Sequence, residues 1–349
     1  MEIFIVDGAG VCDIPSDDGL NKREIELLLS HTTNTWQKGR ERSELERDTI
    51  QGKKAEFAFE KFIEKYTDVR FLSYDSFRGD HYLSHAPFDG LVYKAGTPSG
   101  ILEAYIEKIN AEVAGSNNLG IISTDLKREM EESGLFSIEI KSSVLKGNLG
   151  DFKGTSGSIP RTEEDYGRII KNIERWDFFV YPHYCRSNEE IKSFYDYASY
   201  VKDNYQKDFP KLTNEVFLKR LMQIEFDHAS DVYTRLYFDY DANKLYIPGY
   251  VLKEDFFKQP CLLKMPGNKS GKALYYMHSI ADRTSFCEIN GDSRIWEFDH
   301  AMAYTRLFAG ERKFCKGCGN PLFLCDSKKN CSYYYRCFDC NRTYDMKSV

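Results

Sequence analysis

The chain has 349 residues and a mass of 40.6 kDa, enough for one large core or two to three smaller domains. Its mean hydropathy of -0.53 is typical of a soluble globular protein, and no apolar run approaches the roughly 18 residues that a membrane span needs. The net charge of -6 excludes attraction of polyanions by the chain as a whole, so nucleic acid could bind only at local basic patches. The first residues lack the pattern of a signal peptide, which predicts a cytoplasmic protein with no membrane partner.

Helical spacing dominates the first third of the chain. Highly charged residues predict a helical N-terminal extension over 1–50, followed by a helix over 53–66 with one buried face. Two short apolar runs predict strands at 69–74 and 88–93. A helical insertion is expected at about 95–135, with a cap signal for its second helix.

Strands become more frequent from residue 136 onward. Clean alternation of polar and apolar residues predicts a strand over 136–144. A Gly/Ser-rich loop follows at 146–159, and residues 190–225 have mostly helical spacing. The remaining elements are a helix at 163–175 and strands at 178–181, 232–239, 244–247 and 273–278. This mixed order predicts an α/β fold with a mixed central sheet flanked by helices over 51–265, and a β-rich connecting region over 266–310.

Two short segments carry the residues best suited to catalysis. The first, HAPFDGLVY, places Asp89 at the start of a strand. In the second, FSIEIKSS, the pleat of the strand sends Glu139 and Lys141 to its polar face. Two carboxylates can hold Mg²⁺, which activates a water and neutralises charge on a phosphate. A neighbouring lysine can orient that water or stabilise the developing charge, so the set favours phosphodiester hydrolysis.

These segments resemble the motifs of the PD-(D/E)XK nuclease superfamily, the fold of many restriction endonucleases. The similarity covers roughly residues 50–260 and rests on three segments in the expected order, GKKAE at 52–56, PFDG at 87–90 and EIK at 139–141. It implies a restriction-endonuclease-like core in which Asp89 and Glu139 bind Mg²⁺. It also implies that Lys141 assists the attacking water and that Glu56 is a further candidate ligand of the metal.

Other interpretations of the same residues stay open. A Glu-x-Lys pair on a strand also fits a solvated sheet face, and Glu56 begins an acidic stripe that a solvated helix would equally display. His81 and His85 flank the Asp89 segment, but no His-Asn-His pattern follows, so we interpret them as surface or loop residues. No phosphate-binding or dinucleotide-binding glycine motif is present in the sequence.

Six of the ten cysteines fall near the end of the chain, which favours metal binding over a disulfide framework in a reducing compartment. Two Cys-x-x-Cys knuckles separated by 18 residues predict a zinc ribbon at 311–349 with a closed, structural Zn²⁺ site. We interpret Cys325 and Cys331 as residues of the intervening hairpin, with an alternative ligand set left open. The predicted zinc ligands are Cys315, Cys318, Cys337 and Cys340.

The resemblance implies a Mg²⁺-dependent DNA endonuclease, most consistent with bacterial restriction or antiphage defence. Its expected partner is double-stranded DNA, and a homodimer, a cognate methyltransferase or a defence-system subunit are further partners that the resemblance allows. The 311–349 module carries eight Lys or Arg against four Asp or Glu, which suits contact with a nucleic-acid backbone; docking or dimerisation is the alternative. A repair, recombination or transposition nuclease, an inactive nucleic-acid-binding adaptor and action on RNA remain rival hypotheses.

Overall fold

The structure is a computed structural model in which two compact units are distinguished. It describes residues 1–17, 22–32, 41–116, 120–145, 162–180, 225–258, 276–286, 295–299, 302–303, 307, 315–319, 323–327, 332–337, 340 and 342–345. Unit 1 consists of Met1–Phe178, Ser230–Lys253 and His278–Phe298, and unit 2 of Phe179–Ala229, Glu254–Met277 and Asp299–Val349. The predicted loop at 146–159 and the predicted helices at 190–225 lie outside the described residues, apart from residue 225.

Strands and helices alternate along the described residues. The strands are β1 Ile3–Val6, β2 Ala9–Asp13, β3 Val69–Ser73, β4 Gly90–Lys94, β5 Phe136–Val144, β6 Asp177–Val180, β7 Val232–Asp239, β8 Lys244–Ile247, β9 Tyr250–Leu252, β10 Tyr276–Ser279, β11 Phe323–Ser327, β12 Ser332–Arg336 and β13 Thr343–Asp345. The helices are α1 Lys22–Thr32, α2 Arg42–Tyr66, α3 Ser99–Gly115, α4 Thr124–Glu132, α5 Glu163–Ile173 and α6 Lys253–Lys258. In this part of the chain, no helix combines the length and apolar character that crossing a membrane requires.

A mixed eight-stranded sheet lies at the centre of unit 1. Its strand order is β1-β2-β8-β7-β5-β4-β3, and β9 also pairs with β7. The central strands β5 and β7 are parallel, whereas the other pairs are antiparallel. The predicted α/β class with a mixed sheet flanked by helices is therefore confirmed. The bounds predicted for the strands at 136–144, 232–239 and 244–247 agree with those of β5, β7 and β8.

Helices α2, α3 and α4 position the part of the sheet that contains β3, β4 and β5. Helix α2 begins earlier than predicted and buries Ala55, Phe59 and Phe62, spaced three to four residues apart on one face. The predicted insertion is confirmed as α3 and α4, and the hydroxyl of Ser123 caps α4 by accepting the Leu126 amide. These two helices contribute to one apolar cluster with residues around β4, namely Tyr74, Phe88, Leu91, Ile109, Val113, Ile122, Leu126, Met130 and Leu135.

The prediction of a helical extension over 1–50 is wrong for its beginning. Strands β1 and β2 form an antiparallel hairpin, and β2 pairs with β8 at the edge of the central sheet. Asp7 and Gly8 form the two-residue connection with φ values of 47° and 73°. An Asp-Gly pair between apolar runs is a strong hairpin signal because both positions require positive φ.

The predicted connecting region at 266–310 is divided between the two units. Unit 1 includes His278–Phe298 together with the sheet. Tyr250 and Thr284 exchange backbone hydrogen bonds of 2.8 and 2.9 Å, and the ring of Phe286 lies 5.1 Å from that of Phe59. This late segment completes the core because it brings apolar side chains to the buried face of α2.

Candidate active site and cysteine cluster

Asp89 lies immediately before β4 and is fixed on both sides by the neighbouring strands. Its backbone amide donates to Ile138 of β5 at 3.0 Å, and its carbonyl accepts from Tyr74, just after β3, at 2.9 Å. One carboxylate oxygen accepts the backbone amide of Ile140 at 2.6 Å. Asp89 is therefore directed at the part of β5 that lies between Glu139 and Lys141.

Glu139 and Lys141 lie on one face of β5, and the Lys141 ammonium donates a hydrogen bond to the Glu139 carboxylate. Glu139 is only 6% exposed, so this side of the strand is not a solvated sheet face. The alternation that distinguishes two faces of β5 is correct, but both faces are largely buried over 136–140. A carboxylate in such a place needs a charged or hydrogen-bonding partner.

Helix α2 brings Glu56 to the same region. One Glu56 oxygen accepts from Lys53 at 3.0 Å and from the hydroxyl of Ser73 at 2.9 Å. Lys53 also forms an ion pair with Asp75, which follows β3. Gln51 fastens the helix to β5 by donating to the hydroxyl of Ser142 at 2.8 Å. Glu56 is therefore held by specific partners rather than displayed on a solvated helix face.

The three carboxylates and Lys141 influence one another electrostatically. Burial, then repulsion by Glu139 and Glu56, raises the pKa of Asp89 well above its usual range. Burial also raises the pKa of Glu56, against the attraction of Lys53. Burial disfavours the charged form of Lys141, but the attraction of Glu139 and Asp89 outweighs it and raises the pKa of that lysine. The site thus concentrates negative charge that a cation would stabilise.

These carboxylates do not form a closed shell of ligands. Within the described ranges, the four C-terminal cysteines are the one group of three or more His, Cys, Asp or Glu side chains whose donor atoms all lie within 4.8 Å of one another. Asp89, Glu139 and Glu56 do not meet this criterion together, and lysines are hydrogen-bonded to Glu139 and Glu56. His81 and His85 are exposed, as predicted, and contribute no donor to such a group.

A buried polar cluster fixes β5 beside β7. The Asp231 carboxylate accepts from the amide and the hydroxyl of Ser137 at 2.8 and 2.7 Å, and from Lys253 at 3.0 Å. All three residues are at most 2% exposed. The charge of Lys253 also lies 3.9 Å from Glu131 of α4. This cluster sets the register that places Lys141 opposite Arg235.

Sequence reasoning missed several residues of the site, although weak signals for them exist. Lys53 precedes Glu56 by three positions, the spacing that brings side chains together on a helix. Arg235 is the only charged residue of β7 before its final Asp239. Asp75 gives no signal in the sequence, because only the pairing of β3 with β4 brings it to α2.

The C-terminal cysteine cluster lies in unit 2, and it brings together all four predicted ligands. The Sγ atoms of Cys315 and Cys340 are 3.4 Å apart, as are those of Cys318 and Cys337. Four thiolates at 2.3 Å from Zn²⁺ in a tetrahedron would be about 3.8 Å apart, so the cluster could bind a metal such as zinc. Gly319, with a φ of 76°, lets the first knuckle fold back so that its amide donates to the Cys315 carbonyl at 2.9 Å.

A tyrosine stabilises the thiolate form of one ligand. The Tyr344 hydroxyl is 3.0 Å from the Cys315 Sγ, and this hydrogen bond lowers the pKa of the thiol to about 6. The thiolate is the form that binds a metal. Tyr344 lies on β13, a strand that was not predicted and that pairs with the predicted strand β12. The backbone of Cys325 is part of β11, whereas Cys331 lies outside the described residues.

Comparisons with known proteins give no indication of function, so any proposal of a function depends on the residues of the site. No family model matches the chain, and neither the curated proteins nor the solved structures include a significant match.

Proposed function

We propose that this protein is a Mg²⁺-dependent DNA endonuclease with a restriction-endonuclease-like core and a C-terminal zinc ribbon. The observation that carries the proposal is the meeting of Asp89, Glu139 and Lys141 on one face of the central sheet. The Asp89 carboxylate accepts a hydrogen bond from the backbone amide of Ile140, which lies between the other two residues. The Lys141 ammonium donates a hydrogen bond to the Glu139 carboxylate. The order of these residues resembles that of the superfamily motifs, although the stretch between Asp89 and Glu139 is longer than usual in that family, and their proximity supports a hydrolytic site for a phosphodiester.

The donor set fits the proposed metal. Burial, then repulsion by Glu139 and Glu56, raises the pKa of Asp89, and a hard divalent cation with oxygen ligands would relieve that repulsion. Asp89 and Glu139 would hold Mg²⁺, with Glu56 as a further ligand. The ion supplies charge neutralisation at the phosphate and a lower pKa for the attacking water.

The chain's own residues have separate tasks in this proposal. Lys141 stays protonated because Glu139 and Asp89 stabilise its charge, so it acts by orienting the water and stabilising negative charge on the phosphate. Lys53 and Ser73 position Glu56, and Gln51 holds α2 against β5. Double-stranded DNA is the proposed substrate.

The biological setting and the remaining partners rest on the resemblance. Restriction or antiphage defence is the setting we propose, with a second copy of the chain, a methyltransferase or a defence-system subunit as candidate partners. The ribbon would bind Zn²⁺ through Cys315, Cys318, Cys337 and Cys340, and its Lys and Arg excess suits contact with the DNA backbone.

The test is cleavage of unmodified plasmid and phage DNA by the purified chain, with Mg²⁺ and with EDTA. Lys141→Ala removes the group that stabilises charge at the phosphate, so we expect cleavage to fall by about 100-fold or more. Lys61→Ala is the matched control, because Lys61 is a partly exposed residue of α2 that pairs with Glu64. Its cleavage rate should equal that of the wild type.

The products separate the rival settings. Discrete fragments that disappear with EDTA and with Lys141→Ala would support a restriction enzyme, whereas a smear would favour a non-specific defence or repair nuclease. Cleavage by Lys141→Ala at the wild-type rate would contradict the proposed active site. Binding of DNA without any cleavage, under all metal conditions, would favour an adaptor instead.

A further inference from the structure

A second cation lies beside Lys141 on the central sheet. Arg235 is the direct neighbour of Lys141 in the parallel pairing of β5 with β7, just as Tyr233 is the neighbour of Glu139. Neighbouring residues in a ladder direct their side chains to the same face, so Arg235 shares the face that carries Glu139 and Lys141. Both cations are half-buried, which leaves part of each side chain accessible to a ligand.

A hydrogen bond to the neighbouring strand β5 fixes the guanidinium of Arg235. One of its terminal nitrogens donates to the hydroxyl of Ser143 at 3.1 Å. Ser143 follows Lys141 by two positions, so it lies on the same face of β5. Lys141, Ser143 and Arg235 therefore form a compact group of hydrogen-bond donors beside the three carboxylates.

Two cations are therefore side by side in this part of the sheet. Like charges on directly opposite residues of a sheet repel each other. Departures from favourable local choices concentrate at functional sites, where a ligand compensates for them. An anion that contacts both residues would be such a ligand.

We propose that Arg235 is a further catalytic residue whose guanidinium binds the non-bridging oxygens of the phosphodiester, an inference that rests on the proposed nuclease function. Its planar fork matches two phosphate oxygens at once, which an ammonium cannot do. Lys141 would then act at the water and the phosphorus centre, while Arg235 holds the phosphate over the β5–β7 pair. Ser143 is a positioning residue, since it acts through Arg235.

The experiment compares Arg235→Gln and Arg235→Lys with the wild type and with Arg70→Gln. Arg70 lies on β3, donates to the carbonyl of Val69 and belongs to no part of the proposed site, so it controls for loss of an arginine charge. Each protein is assayed for plasmid cleavage with Mg²⁺ under single-turnover conditions. We expect Arg235→Gln to cleave on the order of 100-fold more slowly, as for loss of one donor to a transition state. Arg235→Lys should recover only part of that loss.

A second readout separates phosphate contact from a structural role. Binding of a short duplex in Ca²⁺ is measured at increasing salt concentration, and Arg235→Gln should reduce the slope of log affinity against log salt by about 0.9. Arg235→Lys keeps the charge and should keep the slope. If Arg235 only supported the fold, Arg235→Gln would lower the melting temperature and leave the slope unchanged.

Failure of this inference can be distinguished from failure of the proposed function. Cleavage by Arg235→Gln within about twofold of the wild type, with Lys141→Ala inactive, would overturn the role of Arg235 and leave the nuclease proposal standing. If the wild type cleaved no DNA, the proposed function would fail, and the salt slope would still decide whether Arg235 contacts a phosphate. Should Arg235→Gln not fold, an unchanged cleavage rate in Arg235→Lys would overturn the bidentate contact.

Discussion

The cysteine cluster and the carboxylate site collect ligand groups in two different ways. The four Sγ atoms lie within 4.8 Å of one another, and Arg342 interacts electrostatically with Cys315 and Cys340. Glu139 and Glu56 instead have direct hydrogen bonds from lysines, Lys141 and Lys53, and Lys141 also attracts Asp89. The thiols converge on one another, whereas the carboxylates do not form such a group and have lysines that partly balance their charge.

Under the proposed function, the two regions would use a metal differently. A closed set of thiolates leaves no open position for substrate, which is the pattern of structural zinc. Mg²⁺ is held by one or two carboxylates and keeps several waters, which would leave room for the phosphate of a substrate. Removing a ligand should therefore affect stability in the first region and catalysis in the second.

The largest expected effect is at the cysteines. Cys337→Ser should abolish binding of one zinc per chain and unfold the module, because the binding free energy of a structural zinc is also folding free energy. Metal content by atomic absorption and the protease sensitivity of the module would measure this. Cys337 is buried and its Sγ lies 3.4 Å from that of Cys318, so the substitution removes one of the four predicted ligands from within the cluster.

Cys325→Ser is the matched control for this experiment. Cys325 lies on β11 of the same small sheet, and it belongs to neither Cys-x-x-Cys knuckle. The control should retain full zinc content and protease resistance. Equal zinc content in Cys337→Ser and the wild type would contradict a four-cysteine site.

Local patterns explain which parts of the two regions could be predicted from the sequence. The knuckles were predictable because the ligands of each are three residues apart, and β5 because apolar and polar residues alternate over 136–141. The proximity of Asp89 to Glu139 was foreseen only through resemblance to a family. No periodicity relates residues that are 50 positions apart, and only the pairing of β4 with β5 brings them together.

The parts that could not be predicted depend on long-range contacts. Asp231 and Lys253 precede and follow several strands, and nothing in their spacing indicates that their charges meet in the core. Arg235 acquires its place from the parallel register with β5. The β1–β2 hairpin is a different case, since its Asp-Gly turn was a readable signal that the charged composition of the following residues obscured.

The next largest effect is expected at the cluster that supports β5. Asp231→Asn leaves the charge of Lys253 buried without its carboxylate, which costs roughly 3–5 kcal/mol for a buried ion pair broken on one side. Urea unfolding would give this difference in the free energy of unfolding. The matched control is Asp125→Asn, because Asp125 is 79% exposed and pairs with Arg128 on the surface of α4.

The control should change stability by less than about 0.5 kcal/mol, as exposed ion pairs contribute little. Equal losses in Asp231→Asn and Asp125→Asn would show that the polar cluster does not support the sheet. A loss of stability in Asp231→Asn alone would sharpen the contrast with the cysteine region. It would mean that an ion pair within the protein stabilises this region, as a bound metal is proposed to stabilise the other.

A more gradual effect, smallest when taken per pH unit, is a dependence of stability on pH that arises from Glu131. Burial, then repulsion by Asp231, raises the pKa of Glu131 from 4.5 to about 8. Between these values the folded protein keeps a proton that the unfolded chain has released, so stability falls as the pH rises through this window. Asp231 does not contribute there, since its pKa is lowered to about 2 despite its burial, chiefly by the charge of Lys253.

Glu131→Gln replaces the titrating group by a neutral amide of similar shape, so the variant should lack this part of the pH dependence. The difference in unfolding free energy between the two proteins should therefore shift in favour of the variant from pH 5 to pH 8, by at most about 1.4 kcal/mol per pH unit. Urea titrations at several pH values measure it, and all other groups cancel in the difference. Parallel curves would mean that Glu131 is ionised throughout, its charge stabilised by Lys253 at 3.9 Å.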